Sequence, residues 1–360
     1  MSDRASGSTR ADEARSNGGR NRRDIVVIGA SAGGVETLMR VVARMPADFP
    51  AAVFVVLHLP ATGKSFLPQI LDRVGPLEVV QAVDGQPIEP GRIYVAPPDC
   101  HLLLENGNVS LGGGPKENGH RPAIDQLFRS AAVAYGPRVV GVVLSGVLDD
   151  GTAGLRAVRK ERGIAVVQDP DDALYPAMPL NAIAGARPDH VVTADELPEL
   201  LNDLTHSNVE SDVRDFPDLT MESEYAELPP ELPEAEPPGE ASGFVCPECG
   251  GALWELQDGE LTRFRCRVGH AYSAGSLLAD HSESLEAALW TGYRALEERA
   301  AMARKLATRL NDRGQSRTAK RFEEQAKAAQ KHGRTIREVL LGLEAMPEPA
   351  ELEDRSKSPS

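Results

Sequence analysis

At 360 residues, with 41% apolar and 26% charged side chains, the chain can bury one large core and carry smaller modules beside it. Aromatic residues are sparse at 4% and the formal charge is −15, so neither a base-stacking surface nor a basic footprint for nucleic acid is expected. No stretch approaches the ~18 consecutive apolar residues of a membrane span, which excludes membrane insertion as a reading.

Residues 1–23 are polar, rich in Gly, Ser and Arg, and lack the apolar run of a signal peptide. They read as a disordered tail on a cytoplasmic protein. Residues 24–205 then alternate apolar runs with helix-length segments. The runs are IVVIG (25–29), AVFVVLH (52–58), RIYVA (92–96), VVGVVLSG (139–146) and IAVVQ (164–168). Helical patterns cover Gly34–Met45, Pro122–Tyr135 and Thr152–Glu161. Continuous β-branched runs fit strands buried on both faces, and the alternation predicts an α/β domain with a doubly wound, mainly parallel, Rossmann-like sheet. His101–Glu105 and Asn108–Leu111, joined through Asn106 and Gly107, read as an inserted hairpin.

GASAGG (29–34) joins the first strand to the first helix. Ser31 stands where a dinucleotide motif would have its second glycine, and the lysine of a phosphate-binding loop is missing. A serine on a tight turn between two alanines suits a nucleophile, although a simple helix cap is the plainer reading of this motif alone. His58 closes the second apolar run, and Asp150 lies just beyond VVGVVL. Either could cap a strand or a helix. In a parallel sheet, however, all three residues project from the carboxyl edge, where ligands bind. Together they supply a hydroxyl, a base and an orienting carboxylate.

Residues 206–243 hold eleven acidic residues against the single Arg214, together with six prolines, and read as a linker. A module over 244–275 follows, in which Cys246, Cys249, Cys266 and His270 are spaced Cys-x2-Cys, sixteen residues, Cys-x3-His. This is the spacing of a zinc ribbon with a closed, structural metal site. Phe244, Trp254, Phe264 and Tyr272 are expected to pack around it, while Cys100 stands apart as an ordinary thiol. Residues 276–345 read as a helical hairpin or short coiled coil. Its first helix carries Leu285, Leu289, Gly292, Leu296, Ala303, Leu306 and Leu310. Its second carries Ala319, Phe322, Ala326, Ala329, Gly333, Ile336, Leu340 and Leu343, and Asn311–Gly314 form the break. Residues 346–360 read as a second disordered tail.

Taken in order, GASAGG, VVLHLP (55–60), IYVAPPDCHL (93–102), HRPAIDQLF (120–128), GVVLSGVLDDGTAGL (141–155) and Met178–Pro179 resemble the catalytic domain of the CheB-type protein-glutamate methylesterases of chemotaxis. The resemblance implies Ser31 as nucleophile, His58 as general base then acid, and Asp150 as the orienting carboxylate. It implies hydrolysis of γ-glutamyl methyl esters on methylated chemoreceptors, and in related members deamidation of glutamines, with no catalytic cofactor. Backbone amides near Ala32 and Val147 are candidates for the oxyanion hole. His120 and Arg121 either line the same rim or start a helix. Ala32 replaces a frequent Thr, and Val147-Leu148 replaces a Met-Gly pair. With only 23 polar residues ahead of the first strand, the family's phospho-receiver switch is not expected in cis, which leaves control to a separate regulator or to the C-terminal half. Similar ribbon-and-helix extensions follow such domains elsewhere and imply docking or homodimerisation. The competing expectation is a signalling scaffold that keeps the fold and binds partners through the ribbon and helices.

Overall fold

The computed structural model describes residues 22–58, 65–105, 107–209, 239–259 and 261–343. The expected tails apart from Arg22 and Arg23, most of the acidic linker and Asn106 of the hairpin turn lie outside them. The chain divides into two compact units, Met1–Ser276 and Leu277–Ser360.

The first unit is built on a seven-stranded sheet. Its strands are β1 (Ile25–Ala30), β2 (Ala52–Leu57), β3 (Glu78–Gln81), β4 (Arg92–Val95), β7 (Val139–Val143), β8 (Ile164–Gln168) and β9 (His190–Val192), in the order β3-β4-β2-β1-β7-β8-β9. Every pairing in this sheet is parallel. Side chains alternate between faces along each strand. Val27, Phe54 and Val143 therefore share one core with Leu127 and Phe128 of α3 (Ile124–Tyr135), Leu155 of α4 (Thr152–Lys160) and Met178 of α5 (Ala177–Ala186). Val26, Val53 and Val142 share the other with Leu38 of α1 (Gly34–Val42), Leu71 of α2 (Leu67–Asp72) and Leu201 of α6 (Leu197–His206). Two covered faces explain why the central strands carry almost no polar side chain.

The expected hairpin is present as β5 (His101–Glu105) and β6 (Asn108–Gly112), packed on α3 through Leu102, Leu104 and Val109. Strands β3 and β9 have no counterpart among the predicted runs. They are short edge strands of four and three residues, half exposed, and lack a long apolar signature. Two helices stop earlier than their patterns suggest, α1 at Val42, where the Ala43 amide turns back to Met39, and α4 at Lys160, whereas α3 ends at Tyr135 as expected.

A four-stranded antiparallel sheet follows in the same unit, formed by β10 (Glu240–Val245), β11 (Ala252–Asp258), β12 (Leu261–Cys266) and β13 (Ala271–Ser273). Phe264 and Tyr272 are buried within it. Phe244 departs from expectation: it stays exposed and meets only the edge of Phe264, at 5.8 Å between ring centroids. Its strand lies at the edge of the sheet and is largely exposed.

Helices α7 (Ala274–Asp312) and α8 (Ser316–Leu343) follow, the second unit beginning within α7. In that unit Ala300, Ala303, Ala307, Ala319, Ala326, Ala329 and Leu340 are buried. Small residues allow close approach: a Cβ on Gly292 would meet Ile336 at 3.6 Å, and one on Gly333 would meet Leu296 at 3.8 Å. Leu285, expected on the packed face, is exposed instead. Among the described residues no helix is long and apolar enough to cross a membrane.

Candidate active site

The strand order brings three expected residues to one edge. β2, β1 and β7 are neighbours, and the chain reverses its direction of travel between β1 and β7, the kind of switch point at which ligands bind. Ala30 pairs with Leu57, so the next residues, Ser31 and His58, leave the sheet side by side. The His58 amide donates to the Ala30 carbonyl at 3.1 Å, and the Ser31 amide donates to the Ser145 carbonyl at 3.0 Å. Ser145 braces the turn further, its hydroxyl donating to the Ala32 carbonyl at 2.9 Å and accepting the Tyr175 amide at 3.0 Å. Gly146 is small for a reason: a Cβ there would lie 2.9 Å from the Ser31 Cβ and 2.8 Å from the Met178 sulfur.

Asp150 follows β7 and is 2% exposed. Its Oδ2 accepts His58 Nε2 at 2.8 Å and the Ile124 amide at 2.7 Å. Its Oδ1 accepts Asn118 Nδ2 at 3.0 Å, the Gly151 amide at 3.0 Å and the Asp125 amide at 3.2 Å. The carboxylate therefore sits on the N-terminus of α3, whose free amides and dipole favour negative charge. Burial alone would raise its pKa. The hydrogen bond and charge of His58, with the Ile124 amide, instead hold it below the usual carboxylate range. An ionised carboxylate only accepts, so the proton between the pair belongs to His58 Nε2. Nδ1 is buried and without a hydrogen-bond partner among the described residues. The Ser31 hydroxyl also makes no hydrogen bond among the described residues: the imidazole–carboxylate contact is closed here, and the hydroxyl–imidazole contact is not.

The amides of Ala32 and Val147 likewise donate to no group among the described residues. Leu148 has φ 60°, left-handed backbone that favours glycine. Asp149 does not face His58. Its carboxylate accepts the hydroxyls of Ser273 at 2.7 Å and Ser276 at 2.9 Å.

Of the two residues left open on the HRPAID segment, His120 belongs to the site and Arg121 does not. The His120 ring stacks on His58 with centroids 3.7 Å apart. Burial first, and the His58 charge second, push its pKa down to about 3. Arg121 instead pairs with Asp99 at 2.7 Å and donates to the Gly114 carbonyl at 2.8 Å. Sequence reasoning missed Asn118 and Asp125. The Asn118 carboxamide bridges Asp150 and Asp125, and Asp125 in turn accepts the Gly154 amide at 2.6 Å. Burial, together with the charges of Asp150 and Glu117, holds the Asp125 carboxyl well above its ordinary range. The only sequence signal for Asn118 is Asn-Gly, an ordinary turn pair.

In the antiparallel sheet, the ligand atoms of Cys246, Cys249, Cys266 and His270 all lie within 4.8 Å of one another. Cys249 Sγ is 3.7 Å from Cys266 Sγ, which is 3.4 Å from His270 Nδ1. Gly250, at φ 69°, makes the first knuckle possible, and its amide donates to the Cys246 carbonyl at 2.8 Å. The cluster could hold a metal ion.

Residues 26–201 match the family described as CheB methylesterase. A provisionally named protein-glutamate methylesterase/protein-glutamine glutaminase of Leptospira interrogans is 34% identical over 188 residues, covering 52% of this chain and 97% of the relative. Protein-glutamate methylesterase/protein-glutamine glutaminase 1 of Geobacter metallireducens is 38% identical over 181 residues, 49% of this chain and 50% of its own length. The Thermotoga maritima CheB methylesterase catalytic domain is 36% identical, with a TM-score of 0.49, over 50% of this chain and 98% of that one. With the shared motifs lying on one sheet edge and nearly the whole Leptospira relative covered, the chain belongs to the CheB methylesterase family of carboxylic ester hydrolases.

Proposed function

We propose that the chain hydrolyses γ-glutamyl methyl esters on methylated chemoreceptors, with Ser31 as nucleophile, His58 as general base and then acid, and Asp150 as the residue that orients and charges the imidazole. The observation that carries this reading is the His58 ring, with Nε2 on Asp150 at 2.8 Å and Nδ1 buried and without a hydrogen-bond partner among the described residues, on a residue that leaves the sheet beside Ser31. Ser31 Oγ attacks the ester carbonyl and passes its proton to His58 Nδ1. The Ala32 and Val147 amides receive the oxyanion, one such donor typically contributing roughly 2.7–4 kcal/mol to the transition state. Collapse expels methoxide, which leaves as methanol with the proton from His58. The ring then takes a proton from water, hydroxide attacks the acyl-enzyme, and Ser31 is released as the glutamate forms. The same acyl chemistry on a glutamine side chain would release ammonia, in keeping with the paired activities in the relatives' names.

We assign the Cys246, Cys249, Cys266 and His270 cluster to zinc in a structural role. Zinc–sulfur bonds of ~2.3 Å give tetrahedron edges of about 3.8 Å, in keeping with the Cys249–Cys266 spacing of 3.7 Å. Four protein ligands would leave no position for a reacting water.

The test is methanol release from methylated receptor by the full chain, with Ser31→Ala as control. Release by the natural chain and none by the variant is the expected result. Equal release by both proteins, or none by either, would end the esterase reading.

A further inference from the structure

Strand β13 of the small sheet reaches the machinery of the large one. The segment Lys116–Asn118 pairs with it: the Ala271 amide donates to the Lys116 carbonyl at 3.3 Å, and the Asn118 amide donates to the Ala271 carbonyl at 2.8 Å. The Ser273 amide then donates to Asn118 Oδ1 at 2.9 Å. This leaves the other end of that carboxamide to donate to Asp150 and Asp125. The Ser273 side chain acts on the neighbouring residue. Its hydroxyl donates to Asp149 at 2.7 Å, Ser276 adds a second donor at 2.9 Å, and the Ser276 amide donates to the Ser273 hydroxyl at 2.9 Å.

Asp149 is half-buried, and its hydroxyl partners both come from this C-terminal segment. Contacts around the seam keep β13 in place. Glu117 is buried between Arg129 of the large domain and Arg263 of β12, Lys116 pairs with Glu248 at 2.5 Å, and Lys160 with Asp258 at 2.5 Å. The turn that presents Asn118 also presents His120, through reciprocal backbone bonds between Glu117 and His120 at 2.9 and 3.1 Å.

We propose that β13 and the first turn of α7 are a positioning element for the esterase site, holding Asp150 through the Asn118 carboxamide and through the Asp149 clamp made by Ser273 and Ser276. The small metal-binding sheet and the hydrolase then act as one mechanical piece. Asn118, Ser273 and Ser276 touch no reacting atom and work through Asp150 and His58. This inference rests on the triad reading above, but it can be read out without turnover.

The experiment uses the full chain in four forms: natural, Asn118→Gly, the double variant Ser273→Ala with Ser276→Ala, and Ser273→Thr. Asn118 has φ 51°, so glycine removes the carboxamide without straining the backbone. NMR titration of the His58 imidazole and steady-state methyl ester hydrolysis are measured on each. We expect the His58 titration to move by about half a pH unit or more in Asn118→Gly and in the double variant. In both, kcat should fall about tenfold with KM within about twofold, the pattern of a lost transition-state interaction. Ser273→Thr keeps the hydroxyl and should match the natural chain. Metal content and near-ultraviolet circular dichroism report that each variant is folded. If either disruptive variant titrates as the natural chain does, or if Ser273→Thr is as impaired as the double variant, the latch is refuted. A His58 titration that responds in both variants while the natural chain releases no methanol would uphold the latch and overturn the esterase reading alone.

Discussion

His58 and His120 stack with ring centroids 3.7 Å apart and planes inclined by 17°. Two imidazoles this close cannot both carry a proton at modest cost, and burial adds to the penalty on His120. Its pKa of about 3, against an ordinary 6.5, makes it a neutral wall behind the His58 ring.

That depression sets a direction for acid stability. The unfolded chain binds a proton at His120 below about pH 6.5, whereas the folded chain resists it down to about 3. The stabilisation is therefore complete above pH 6.5 and is lost as pH falls through this window. Between pH 7 and 4.5 the natural chain should lose about 1–2 kcal/mol more than His120→Phe, after allowance for coupling to His58. Urea unfolding at the two pH values measures it, and parallel losses in both proteins would contradict the assignment.

Asp150→Asn should leave the fold in place while setting the wrong hydrogen-bonding character opposite His58 Nε2. By analogy with the same change in other serine hydrolases, kcat should fall on the order of 10³–10⁴-fold with little change in KM. A loss below about tenfold would mean that Asp150 serves chiefly to cap α3.

Gly146→Ala tests the packing under the nucleophile. The new methyl would sit 2.9 Å from the Ser31 Cβ, and the rigid turn has less room to yield than the flexible Met178 chain. Methyl ester hydrolysis should fall at least tenfold, with a melting temperature lower by a few degrees, equivalent to about 1–3 kcal/mol. Natural activity in this variant would show that Ser31 is less confined than its surroundings imply.

Elemental analysis should find about one zinc per chain, and Cys249→Ser should abolish it by removing one of four ligands. Retention of stoichiometric zinc in that variant would place the metal elsewhere.

Most of the sheet and part of the candidate site were legible in the chain. Val26–Ile28, Val53–Val56 and Val139–Val143 announce buried strands because β-branched runs tolerate only that environment. Polar residues just beyond three neighbouring strands then mark one edge as the candidate site, which is how Ser31, His58 and Asp150 could be named together. Asn118 could not be found this way. Its role depends on β13, a strand 155 residues further along, and nothing local distinguishes its Asn-Gly turn from any other. The same holds for His120, whose partner lies in another loop. Leu285 and Phe244 misled for the opposite reason: an apolar residue in register with its neighbours is buried only where a second layer meets it, and among the described residues nothing covers either.

The central claim is that Ser31 is a hydroxyl activated by His58, and active-site labelling reads this directly. A fluorophosphonate incubated with the full chain should form a single adduct that peptide mapping places on Ser31. Labelling should be at least tenfold slower in His58→Gln and absent in Ser31→Ala. An adduct on any other serine, or undiminished labelling of Ser31→Ala, would contradict the account.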